Sequence, residues 1–285
     1  MTLFTRIKDG IEKALPLFKY LVLKTETHAF CGSLAFFTLL GFYPFCFLLL
    51  ALAKQVFHWS SPEEVIVFTL SDYYPTGKEF LLRNLQVSVS LYGDKIAPGS
   101  VFWVLLGAAG FFVPLEAAFN RLWNFKDDRP YWRNQIIGFL LTSACCALAV
   151  FFILCTAVFY SAISRLIFWE LPARVLRYVS FKISAICFSV SAIFLFYKFL
   201  PNGKVHASQV LPAAILAGVI AEGVRWIYLL ALPFLQLQKS QGPYYVSLSF
   251  ALLAYVEAFV LMGGAFLATG SRRIPAGKTL TGQMR

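Results

Sequence analysis

Glu222, Arg225 and Glu257 are the residues of this chain whose types and spacing are most suited to chemistry. Glu222 and Arg225 are the only charges in the apolar run Val210–Leu232. Glu257 lies in Tyr244–Thr269, which holds no Lys, Arg or His. Three residues apart, Glu222 and Arg225 share one face of a helix. Gly218 precedes Glu222 by one turn on the same stripe, where a small residue lets a neighbouring membrane helix come close. A charge near mid-bilayer costs roughly 2.5–3.5 kcal/mol on insertion scales. These three residues must therefore be paired, face a wet cavity, or act on something. For Glu222 and Arg225 two readings stand: the charged lining of a polar cavity, or a self-neutralised pair locking two helices together. Glu257 is either held protonated by its apolar surroundings or paired across to another helix, where Arg225 is the nearest cation a bundle offers. A carboxylic acid in such a place suits proton coupling; the alternative is a neutral acid hydrogen-bonded to backbone.

A second constellation runs from Phe112 to Trp123. Pro114 removes an amide hydrogen and loosens its helix. Glu116 and Asn120, four apart, face the same way. Arg121 and Trp123 suit a membrane interface, and Arg129 and Arg133 follow. Together Glu116, Asn120, Arg121 and Arg129 read as a site for an anionic headgroup or ligand. The alternative is a basic anchor beside a helix kink. Pro44, after Gly41, predicts a kink or a discontinuous helix in the first apolar run, as occurs at transporter sites and in passive bundles alike. Gly263-Gly264 predicts close packing of the last helix.

Several chemistries lack their residues. His28, His58 and His206 lie far apart, and none belongs to a metal-type cluster. The six Cys all fall in apolar runs and read as small buried hydrophobes. No phosphate-binding Gly loop, GxSxG or HExxH occurs. The reading is of a non-enzyme with no cofactor and no metal.

The elements that must position these groups are membrane helices. Of 285 residues, 59% are hydrophobic and 14% charged, against about 25% charged in soluble domains. A helix needs roughly 20 apolar residues to cross hydrocarbon. Six stretches reach or approach that: Phe30–Ala53, Ala97–Leu115, Ile136–Ser164, Phe181–Leu200, Val210–Leu232 and Tyr244–Thr269. Lys182 and Lys198 lie near the ends of the fourth, where they can snorkel. Pro212 and Pro233 bracket the fifth. The expected fold is an all-α, polytopic membrane helical bundle of six transmembrane helices with an N-terminal amphipathic helix. With six spans both termini share a side. The termini and the loops on their side carry fifteen Lys and Arg against nine opposite, which places both termini in the cytoplasm. The net charge of +11 suits basic loops beside anionic lipid, not nucleic acid. Residues 1–29 form a cytoplasmic arm, with Phe4, Ile7, Ile11, Leu15, Phe18 and Val22 at helical spacing for lipid or for protein. Residues 30–270 form the transmembrane domain, with a structured external loop over 54–96, and 271–285 a disordered basic tail.

In these motifs the chain resembles the YihY/BrkB family of bacterial inner-membrane proteins, long labelled ribonuclease BN. The matching stretches are Gly32 to Leu40 with Pro44, Glu116 to Trp123 with Arg129, Leu200-Pro201, Gly218 through Glu222 to Arg225, and Gly242 to Ala265. They span nearly the whole chain. The resemblance implies six helices with cytoplasmic termini. It also implies a cell-envelope role: virulence or serum resistance is attached to some members, and lipid transport is proposed for others. The ribonuclease label finds no metal ligands here. The family commonly places an acidic residue after Gly-Ala near the end of the last span. Here Phe266 follows Gly264-Ala265, and Glu257 is the acid of that span. The expected function is a transporter or lipid-handling permease with an intramembrane polar site, its partners being membrane lipids or an anionic amphiphile. The runner-up is a non-transporting envelope assembly or scaffold factor. Substrate, direction, energy source and any homo-oligomer stay open at this level.

Overall fold

The computed structural model describes residues 16–55, 98–126, 129–166, 170–237, 239 and 244–269. Within these residues the fold is an all-α bundle. Its long helices are α1 (Thr25–Gln55), α2 (Pro98–Trp123), α3 (Tyr131–Leu166), α4 (Glu170–Phe199), α5 (Ala207–Leu235) and α6 (Tyr245–Ala268). Helices are the expected answer for segments this apolar, because a helix satisfies its backbone hydrogen bonds internally where no water can. Four segments are long and apolar enough to cross a membrane among the described residues: Tyr131–Thr156, Tyr178–Phe199, Ala207–Leu235 and Tyr245–Ala268.

Each helix packs on its neighbour in sequence, and α6 returns to pack on α1. The result is a ring of antiparallel helices, with α2 and α6 also touching across it. The starts of α1, α3 and α5 and the ends of α2, α4 and α6 share one end, called here the terminal end.

Several boundaries differ from the sequence expectation, for one reason. Apolar runs mark hydrocarbon thickness, whereas the helix continues into the interface as long as its backbone bonds continue. Thus α3 starts at Tyr131 and α4 at Glu170, ahead of Ile136 and Phe181. Pro212 and Pro233 do not end α5 but lie inside it. Pro114 lies inside α2, and α1 runs through Pro44 without a break, so that helix is not discontinuous. Lys182 is well inside α4 rather than near a helix end. Most of the arm 1–29, nearly all of the loop 54–96 and the tail 271–285 lie outside the described residues.

The described part of the arm is a short π-helical turn, Lys19–Leu23. Tyr20 stacks on Phe266 with ring centroids 5.0 Å apart, while Phe18, Val22 and Leu23 are exposed. His28 fixes this turn: its Nε2–H donates to the Val22 carbonyl at 3.0 Å, and Nδ1 lies 2.9 Å from the Tyr255 hydroxyl of α6. This short stretch turns Tyr20 to protein and leaves Phe18, Val22 and Leu23 outward.

Candidate functional site

Near the midpoints of α5 and α6, four charges from three helices meet. Arg225 Nη1 donates to Glu222 Oε2 at 2.9 Å, and Arg225 Nε donates to Glu257 Oε1 at 2.9 Å. Lys182 Nζ of α4 lies 3.4 Å from Glu222 Oε1. Ser189 Oγ, also from α4, is 3.4 Å from Arg225 Nη1. The order is cation, anion, cation, anion, and the sum is zero. Side-chain exposures are 14% for Lys182, 6% for Glu222, 24% for Arg225 and 21% for Glu257. Arg225 lies on the stripe of α5 that carries Ala214, Ala217, Gly218, Ala221 and Tyr228, all buried against protein. Around the Lys182 ammonium stand three rings, Trp226 at 5.1 Å, Phe181 at 5.4 Å and Tyr178 at 5.5 Å. Such rings attract a cation through their negative faces.

Glycine brings these helices together. A Cβ on Gly218 would fall 2.6 Å from Val190 Cγ2 and 3.0 Å from the Val190 backbone nitrogen, so only Gly allows α4 and α5 to approach there. Gly264 of α6 does the same against the Tyr197 hydroxyl and Ala217. Tyr197 donates to the Leu261 carbonyl at 2.7 Å. Below the charges, toward the terminal end, the core is closed: Leu115, Phe119, Tyr197, Val210, Ala214, Met262 and Ala265 are 0% exposed. On the other side of the charges Tyr228, Leu232 and Leu253 form a buried cluster, each 7–9% exposed.

The second constellation sits at the terminal end. Asn124 takes a left-handed conformation, φ 56°. The Phe125 N–H returns to the Asn120 carbonyl at 2.9 Å and the Asn124 N–H to that of Arg121 at 3.3 Å. This is a Schellman ending, which Asn supports better than most residues. It holds Asn120 in place. The Asn120 side chain donates to Glu116 at 3.4 Å and accepts from the Asn202 N–H at 2.8 Å. Arg129 donates to the Leu200 carbonyl at 3.2 Å and the Pro201 carbonyl at 2.7 Å. These cap the end of α4, where a cation also meets the negative end of the helix dipole. Partial burial lowers the Arg129 pKa from its ordinary value, and nearby Glu116 opposes that shift. Arg121 pairs with Glu26 at 2.7 Å; both are more than 60% exposed.

The structure thus brings Glu222, Arg225 and Glu257 together, and holds Glu116, Asn120, Arg121 and Arg129 apart from them at the terminal end. Sequence reading missed Lys182 and Ser189 as members of the central layer. A signal existed for Lys182: Tyr178 precedes it by four residues, a spacing that sets a ring on its face of the helix. Among the described residues no group of His, Cys, Asp and Glu has the arrangement of a metal site.

A family model described as "Virulence factor BrkB" matches residues 22–284. Among curated proteins, a UPF0761 membrane protein of Aliivibrio fischeri is 25% identical over 199 residues, covering 67% of this chain and 61% of that protein. The match thus spans about three fifths of that relative's length. A UPF0761 membrane protein of Vibrio vulnificus is 22% identical over 228 residues, covering 76% of this chain and 69% of that protein. No solved structure matches the chain.

Proposed function

The chain belongs to the BrkB family of membrane proteins, also called YihY or UPF0761, and on that premise we propose that it is an inner-membrane transporter or lipid-handling permease. All six long helices span the bilayer in this reading, and both termini are cytoplasmic. The observation that carries it is the four-charge layer near mid-helix, drawn from three helices and only partly buried. Charges buried in lipid without a task are costly; charges lining a wet space are not. Arg121, exposed at the terminal end, is where an anionic lipid would meet the protein.

Native mass spectrometry of gently extracted protein tests this. Wild type should retain a lipid in excess of its share of the membrane, and folded Glu222→Gln and Arg225→Gln variants should lose it. An empty wild type, or bulk lipid composition in all three, would overturn lipid handling. One observation favours a scaffold factor instead: each charge of the layer has an opposite charge within the layer, as in a helix lock. On that reading the substitutions lower stability and change nothing else.

A further inference from the structure

We propose that the central layer selects a zwitterionic group, one phosphate with one ammonium, over a group of net negative charge. This rests on the transport reading above. The argument starts from charge balance. Lys182, Glu222, Arg225 and Glu257 sum to zero, and the runs 30–53, 97–115 and 136–164 contain no charge at all. No other span can offset an added charge. A net anion bound at this depth would leave one negative charge uncompensated in a medium of low dielectric, which is where unpaired charges cost most. A zwitterion adds none.

The contacts also show how such a group would enter. The two Arg225 pairs are 2.9 Å long, within reach of the charge-assisted optimum, whereas Lys182 to Glu222 is 3.4 Å. The Lys182–Glu222 contact is the longest of the three, and in this proposal it opens to admit the group. Phosphate oxygens then replace the Glu222 carboxylate on Lys182 and Arg225, the guanidinium offering the planar fork that phosphate fits. The released carboxylates of Glu222 and Glu257 receive the ammonium. The Tyr178, Phe181 and Trp226 rings hold the Lys182 ammonium while Glu222 is away. Lys182 is in this account a binding residue, in contact with the phosphate.

The test uses the full chain in vesicles of equal phosphatidylethanolamine and phosphatidylglycerol. Each lipid is traced in turn by a fluorescent acyl-chain label, with reagent quenching from outside; uptake of free phosphoethanolamine is a third arm. Wild type should move the ethanolamine lipid at least about tenfold faster than the glycerol lipid, because only the latter strands a charge. Glu257→Gln gives the layer one net positive charge and should reverse the preference. Lys182→Met gives it one net negative charge and should widen the preference, so a folding failure of either variant leaves the other to decide. Phosphoethanolamine uptake without lipid movement keeps the zwitterion class and makes its source soluble. Glycerol-lipid movement equal to or faster than ethanolamine in wild type overturns the zwitterion inference and leaves the transport reading standing. No movement in any arm overturns both.

Discussion

Replacing Arg225 by Met removes the cation that both carboxylates share. Glu222 keeps Lys182 at 3.4 Å, but Glu257 has no other ion pair among the described residues. Breaking a buried pair from one side costs about 3–5 kcal/mol, because the stranded charge is left uncompensated. Here the low end applies: Glu257 is 21% exposed, and taking up a proton caps the penalty. Arg225→Met should therefore cost about 3 kcal/mol. Adding Glu257→Met removes the stranded carboxylate while the Lys182–Glu222 pair survives. The double variant should be more stable than Arg225→Met alone by about 1–2 kcal/mol, since a buried pair can be replaced by packed apolar groups at little cost. Unfolding by SDS titration in mixed micelles, followed by circular dichroism, measures all three proteins. A double variant as unstable as the sum of the singles would refute the assignment of Arg225 as the partner of Glu257.

Further predictions follow from the packing and the caps. Gly264→Ala should lower stability by about 1–3 kcal/mol through overpacking, and Tyr197→Phe should partly rescue it, because the Tyr197 hydroxyl is the nearest obstacle to the new Cβ; the same titration reads both. Gly218→Ala should cost a similar amount, about 1–3 kcal/mol, with no rescue by Val190→Ala, because the Val190 backbone nitrogen also stands 3.0 Å from the new Cβ. Arg129→Lys should lose about 1.5–3 kcal/mol, since one ammonium does not reproduce a fork bonded to two carbonyls; a melting temperature equal to wild type would show that the α4 cap carries no stability.

The local part of this architecture was legible in the chain. Glu222 and Arg225 pair because residues three apart share a helix face, and Gly218 admits a neighbouring helix because it lacks a Cβ; both statements need only local geometry, whereas the neighbour's identity, Val190, does not follow from it. For Glu257 the sequence offers either a protonated acid or a partner on another helix, because its own span holds no cation, and only the tertiary contact decides between them. What escaped was what depends on helix length and on contacts far apart in sequence. Lys182 stands near the start of an apolar run, so hydropathy placed it near a helix end. In fact α4 begins at Glu170, and its packing on α5 sets Lys182 against Glu222, 40 residues away. Arg129 had the composition of an anion site, yet its donors are used by carbonyls more than 70 residues on. No spacing rule reaches that far. Hydropathy likewise marks apolar length and not helix ends, which is why Pro212 and Pro233 looked like stops and lie inside α5.

The most direct test of the central claim is whether water reaches the charged layer, and from which side. Ala254 is partly buried one turn from Glu257, on the side away from the terminal end. In a background without other cysteines, Ala254→Cys would be exposed to a charged, membrane-impermeant thiol reagent in spheroplasts and in inverted vesicles. A transport site predicts labelling from at least one side, and the side labelled is the one from which the layer is reached. Labelling from neither side would make the layer a dry helix lock and contradict the account.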